Sequence, residues 1–300
     1  MTVSTEALPL VRRRGSGVVG VLREVTRRPK GLAGVVIVSG LILLALFPSF
    51  FAPYSPDAQN IVDRLQGPSR AHLLGTDELG RDLLSRVIFG TRIALGVSIP
   101  AVTAALLAGL VLGVVAGYAG GIIDSVMIVI MDTLQAFPAV ILALALLALL
   151  GPSLRNVIIV IAVAFTPNYA RVSRAMVLAA KENQWVEAER SLGANVSRIV
   201  TVHILPNIIA PLVILMAMDI PSAIATEAGL SFLGLGVQPP TPSWGVILSE
   251  GFENVVLSPW GIIAASAALM IATLGFTMLG EALRDVADPK LGRTRRWQRL

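Results

Sequence analysis

The chain has 300 residues, 55% of them hydrophobic and 14% charged, with a mean hydropathy of +0.77 and a formal net charge of +5. A soluble globule carries about a quarter charged residues and a disordered chain is poor in apolar ones, so both classes are excluded. There is no cysteine, so disulfides, Cys-based zinc sites and thiol nucleophiles are excluded; His72 and His203 are the only histidines, which argues against a His-rich metal site, and the positive charge reads as membrane topology rather than a nucleic-acid partner.

Crossing a bilayer takes about 20 apolar helical residues, and charge-poor runs place six such spans along the chain. The first, Leu32–Phe51, lies between Lys30 and Asp57. The second runs from Ile93 to about Gly117, with Gly109, Gly113 and Gly117 at four-residue spacing on one helix face. Small residues in that pattern let helices approach closely in lipid, either inside the subunit or against a partner subunit. The third, Ile123–Leu150, carries Asp124 and Asp132, and Pro138 is expected to bend it. The fourth, Asn156 to about Met176, ends in a cluster with Arg171 and Arg174. The fifth, Asn207 to about Leu235, is interrupted by Pro211, Asp219, Pro221 and Glu227; the two acids fall within about 80° of each other on a helix. The sixth is Trp260–Gly280. Ionisable groups at membrane depth face a bundle interior or a wet cavity, so Asp132, Asp219 and Glu227 are candidates for lining a pathway. Structural pairing, or a place near the headgroups, is the competing reading.

Six spans put both termini on one side. The N-terminal tail holds seven basic residues, the C-terminal tail six and the segment between spans four and five another five, so 18 of the 24 lie on one face. By the positive-inside rule that face is cytoplasmic. The chain thus divides into a basic cytoplasmic tail (1–31), a first span with an outer loop (32–92), a five-helix core (93–282) and a second basic tail (283–300).

The core contains a conspicuous cytoplasmic loop over 180–206, AKENQWVEAERSLGANVSRIVTVHILP. Leu192, Val196, Ile199 and Val200 form one apolar helical stripe, and Asn195 is placed to cap the piece that follows Gly193. Its mixed charge favours docking into a groove on a partner protein over lying on lipid.

This loop resembles the EAA motif of ABC importer permeases, E-A-A-x-x-x-G followed nine residues later by I-x-L-P. Here it reads Glu187, Ala188, Glu189, Gly193, then His203, Leu205 and Pro206. Glu189 replaces an alanine, and His203 takes the first apolar position. Other segments are similar to the second permease subunit of the dipeptide/oligopeptide/nickel branch. They are His72–Asp82 with Ser85, Arg86, Gly90 and Arg92; Ala116–Gly121 with Asp124, Asp132 and Ala136–Pro138; Glu227 with Leu230–Gly236; Pro239-Pro240 with Pro242–Gly245; and Leu283–Asp285 with Asp288 and Pro289.

The resemblance implies an all-α, type I ABC importer permease fold in a prokaryotic cytoplasmic (inner) membrane. It implies a second homologous permease, two ABC ATPase subunits and an extracytoplasmic solute-binding protein, with a di- or oligopeptide as cargo. Glu187, Ala188, Leu192, Gly193, Val196, His203, Leu205 and Pro206 would couple the subunit to the ATPases. Thr76, Asp77, Arg81, Asp82, Pro240 and Trp244 would form an outer gate or contact the binding protein. The chain itself is not expected to be an enzyme or to bind a cofactor: its lysines, Lys30, Lys181 and Lys290, follow no glycine, so no phosphate-cradling G-K-[ST] turn exists and ATP with Mg belongs to the partner subunits. Nickel chelates, glutathione-like compounds or other small solutes are the alternative cargoes. A stand-alone secondary transporter is disfavoured by the absence of two related halves, and an intramembrane enzyme by the absence of any nucleophile–base arrangement.

Overall fold

The computed structural model describes residues 18–287. Its first helices are α1 (Val18–Thr26), α2 (Pro29–Leu46) and the short α3 (Pro48–Phe51). Then follow α4 (Leu83–Ala119), α5 (Gly121–Gln135), α6 (Ala139–Leu150), α7 (Leu154–Lys181) and α8 (Gln184–Ser191). A three-residue α9 (Val196–Arg198) runs through a π-helix (Ile199–Ile204) into α10 (Leu205–Phe232), and α11 (Trp244–Glu253) and α12 (Trp260–Ala287) complete the chain. Among the described residues no strand forms; an isolated bridge joins Thr76 to Asp82.

Five stretches, α2, α4, α7, α9–α10 and α12, are long and apolar enough to cross a bilayer. Helices α5 and α6 are apolar enough together to make a sixth, bent by 89° at the break that holds Pro138. The chain is therefore a multi-pass membrane protein with five spans, or the expected six where α5 and α6 count as one, and the expected bend at Pro138 is sharp. Several boundaries differ from the sequence expectation: α2 ends at Leu46 rather than Phe51, α7 runs on to Lys181 and α12 to Ala287, and two further differences have a visible cause. Helix α4 starts ten residues before Ile93, because Asp82 caps it: its Oδ2 accepts from the Ser85 N–H at 2.8 Å. Pro211 and Pro221 do not interrupt α10, which stays helical through both. Packed neighbours let a membrane helix tolerate the lost hydrogen bonds.

The glycine stripe of α4 faces α7. A Cβ on Gly109 would strike Tyr169 and Ala170, one on Gly113 would strike Ala170 and Ser173, and one on Gly117 would come 3.0 Å from Val177 Cβ. The stripe thus serves packing inside the subunit. Lipid tails are as apolar as leucine, so this contact rests on close van der Waals approach.

Two apolar clusters stack along the bundle. One joins the first half of α4 with α2, α11 and α12, around Leu95, Ile224, Trp244 and Phe276. The other joins the second half of α4 with α6, α7, α8 and α10, around Val102, Leu147, Val186 and Ile204. Helices α4 and α10 run through both. The described ends of the chain meet at the α8 end of the bundle, where Arg28 pairs with Asp285 at 2.9 Å and Lys30 approaches Glu281 at 3.7 Å.

Candidate functional site

At the α8 end, α7 stops at Lys181, whose ammonium donates to the Gly117 and Tyr118 carbonyls at 3.2 and 3.0 Å. That ties the base of the loop to the last turn of α4, where uncapped carbonyls carry partial negative charge. Asn183 starts α8 by accepting from the Val186 N–H at 2.9 Å through its own carbonyl. Gly193 then reverses the chain at φ +82°, a left-handed conformation that suits glycine. Asn195 Oδ1 accepts from the Arg198 N–H at 2.8 Å, the cap expected from the sequence.

The loop has an inner and an outer side. Val186, Ile199 and Ile204 are buried in the bundle core and anchor it. Glu187, Ala188 and Pro206 are exposed, Leu205 and His203 are half-buried, and Leu192 and Val196 point outward at 83% and 55% exposure. Val202 adds a third exposed apolar side chain. Glu187 makes no ion pair among the described residues. An acid beside apolar knobs on a firmly rooted helix is the chemistry of a docking surface.

The two departures from the motif meet. His203 Nε2 lies 3.2 Å from Glu189 Oε1, and the His203 ring lies 6.0 Å from that of Trp185. The contact is within ion-pair range but off hydrogen-bond alignment. Each residue was visible in sequence as a substitution; only the fold pairs them. Their separation by fourteen residues across a glycine turn offers no periodic signal.

At the opposite end, α4 and α11 are locked by buried charge. Asp77 Oδ2 accepts from Arg81 Nε at 2.6 Å and from Arg86 Nη1, and Glu250 of α11 accepts from Arg81 Nη2 at 3.1 Å and from Arg86. Asn254 Nδ2 donates to Glu78 at 2.9 Å, and the Trp244 indole N–H donates to the Val87 carbonyl at 3.0 Å. Burial by itself would lower the Arg81 guanidinium, but Asp77 and Glu250 outweigh it and hold the group above its ordinary value. That contribution to stability is present at every pH below the ordinary value and is lost only as pH rises through the raised one. Asp82 pairs with His72 at 2.9 Å, and Thr76 donates to the Asp63 carbonyl.

Thr76, Asp77, Arg81, Asp82 and Trp244 are therefore buried in one another's company, and direct contact with a docked protein is closed to these five; Pro240 is exposed. Arg86 and Glu250 hold the same network, and Glu250 lies in no motif quoted above. Within the spans, Glu227 is fully buried, accepting from Ser231 Oγ at 2.8 Å, and Asp219 is half-buried with Oδ2 unpartnered. Asp132 differs, because it sits on an open face paired with Arg171 at 2.7 Å.

Residues 109–293 match the family described as the binding-protein-dependent transport system inner membrane component. The chain belongs to that family. Residues 20–68 also match the N-terminal transmembrane domain of oligopeptide transport permease C. Among curated relatives, the dipeptide transport system permease protein DppC of Alkalihalophilus pseudofirmus is 39% identical, over 90% of this chain and 88% of that protein. The glutathione transport system permease protein GsiD of Pectobacterium atrosepticum is 40% identical, over 90% of each. Among solved structures, an inward-facing MetNI methionine ABC transporter chain superposes with a TM-score of 0.54 at 20% identity, over 69% of this chain and 97% of that one. This likeness shows the fold: that of an ABC importer permease. Members of this family are transport permeases, and this chain is a membrane-embedded one.

Proposed function

We propose that this subunit forms half of the translocation channel of an ATP-driven importer of short peptides in a prokaryotic cytoplasmic membrane. The observation that carries the reading is the 180–206 loop, rooted in the bundle by Val186, Ile199 and Ile204 while it presents Glu187, Leu192 and Val196 outward. On this reading the α8 end is cytoplasmic and the α11 end faces outward. ATP and Mg bind to two ATPase subunits, a second permease completes the channel, and a solute-binding protein delivers cargo to the α11 end.

Coupling follows from the geometry. Closure of the ATPases moves the docked α8 as a rigid body. Because Lys181 ties the base of the loop to α4 and Ile204 continues into α10, the displacement passes into the two helices that traverse both apolar clusters. The charge network at the far end keeps α4 and α11 moving together.

Peptide cargo is supported by the relatives named for dipeptide and glutathione transport, glutathione being itself a tripeptide. The test is reconstitution of the complete transporter in proteoliposomes with labelled dipeptide. ATP-dependent uptake that Glu187→Lys abolishes, with the variant still inserted, is the expected result. Uptake unchanged in that variant overturns the coupling role, and a wild-type complex that carries no peptide overturns the cargo.

A further inference from the structure

Helices α4, α5 and α7 enclose a cavity of about 350 Å³ between Gly113, Met127, Met131, Asp132, Arg171 and Arg174. That volume is at the small end of the range for small-molecule sites, about 300–1,000 Å³. Its walls are mostly apolar, and both signs of charge stand at its edge.

Depth sets the meaning of those charges. Asp132 lies eleven residues beyond Gly121, and Arg171 lies ten before Lys181. At 1.5 Å per residue both stand about 15 Å from those helix ends, and α7, at 28 residues about 42 Å long, outruns a core about 30 Å thick, so the pair stands in the cytoplasmic half of the bundle. Yet the Arg171 and Asp132 side chains are 56% and 57% exposed. A charge pair that open faces water, headgroups or protein rather than lipid tails.

A second pair one step toward the cytoplasm behaves differently. Arg174 holds Asp124 through two bonds, Nε to Oδ1 at 2.5 Å and Nη2 to Oδ2 at 2.6 Å, and is half as exposed as Arg171. This fork-to-fork contact braces α5 against α7. The Asp132–Arg171 contact is a single bond between open side chains, a kind that contributes little and costs little to break.

We propose that this cavity is a subsite on the cytoplasmic half of the bundle for a short peptide zwitterion, in which Arg171 takes the cargo's carboxylate and Asp132 its ammonium as their own pair opens. The inference rests on the peptide reading above and deepens it. The apolar wall accepts the side chains, while the exchange of one ion pair for two leaves no charge unpartnered in the membrane. The small volume selects for short peptides. The 89° break above Asp132 leaves α5 and α6 as separate rigid pieces, so the carboxylate can shift without distorting α6.

The test uses the reconstituted complete transporter and three probes: dialanine, N-acetyl-dialanine and dialanine amide. Affinities of the isolated binding protein for each are measured separately, so that selectivity arising at delivery is divided out. Arg171→Gln is expected to erase about tenfold or more of the preference for the unblocked carboxylate, and Asp132→Asn a similar share of that for the unblocked ammonium. The double swap Asp132→Arg with Arg171→Asp keeps an ion pair and is expected to remain impaired. Preferences unchanged in both single variants overturn the subsite while leaving peptide import standing. Wild-type uptake restored by the swap also overturns it, by making the pair a polarity-blind tie within the subunit or to its partner. No peptide uptake by the wild-type complex overturns the cargo reading, and the subsite with it.

Discussion

The two ends of this bundle are built by opposite means. At the α11 end, Asp77, Arg81, Arg86 and Glu250 bury four charges in one network that bolts the 57–82 segment and α11 onto the start of α4. At the α8 end, the loop hangs on three apolar anchors and a lysine, while Glu187, Leu192, Val196 and Val202 look outward. A buried charge network resists rearrangement because any half-broken state strands an ion in low dielectric. An apolar root under a polar surface leaves the surface unspent for a partner. On the coupling proposed above, one end holds its shape and the other is grasped, with α4 and α10 carrying displacement between them.

The largest effect expected from breaking this contrast is at Arg86, which is fully buried. Arg86→Leu leaves Asp77 and Glu250 facing each other without their shared cation, and the destabilisation should be about 3–5 kcal/mol. Thermal unfolding in detergent reads this directly. Arg86→Lys should recover only part of it, since an ammonium cannot reproduce the guanidinium fork. A loss below about 1 kcal/mol in Arg86→Leu would mean that the α11 end is not the rigid one. Next comes Glu187→Lys at the other end. Uptake and ATPase retention should fall by about tenfold or more while the unfolding temperature stays at the wild-type value, because the Glu187 side chain is exposed and makes no ion pair among the described residues. A comparable loss of stability in that variant would erase the distinction between the ends. Smaller again is Gly193→Val, which forces a β-branched residue to φ +82° at about 1–2 kcal/mol. Its effect should appear in uptake before it appears in unfolding.

The sequence shows the α8 end more fully than the α11 end, and for a physical reason. The 180–206 loop is a local motif: turn glycine and cap are neighbours in the chain, so spacing exposes them, whereas the apolar stripe expected there is divided, Leu192 and Val196 facing out and Ile199 in. The α11 network joins Asp77 to Glu250, groups more than 170 residues apart, and no local pattern announces such a partner. The rule that finds spans by the absence of charge also hides the true start of α4. Arg86 and Arg92 read as loop residues, yet Arg86 is neutralised inside the fold, and Arg92 reaches back to cap α2 through the Ala45 and Leu46 carbonyls. The acids within the spans show the same limit. Asp132, Asp219 and Glu227 were equal on hydropathy alone, and only packing separates the exposed Asp132 from the enclosed Glu227. What could have pointed to Arg171 and Arg174 is the presence of two bases three residues apart on α7 opposite two acids eight apart on α5, a pattern that pairs only once the helices are laid side by side.

The smallest effect belongs to the Glu189–His203 contact, and it sharpens the comparison most finely. Both side chains remain about a quarter exposed, and the approach is off hydrogen-bond alignment. A pair of that kind contributes less than about 1 kcal/mol. Glu189→Ala and His203→Gln should each leave the fold within that margin, and a double-mutant cycle should return a coupling of roughly 0.2–1 kcal/mol. Because the pair spans the Gly193 turn, its loss should loosen the angle between α8 and the π-helix, lowering uptake modestly without releasing the ATPases. A coupling energy above about 2 kcal/mol would place this contact in the class of buried, specific pairs. The α8 end would then be clamped as the α11 end is, and a loop read as open to a partner would have to be read as one already closed on itself.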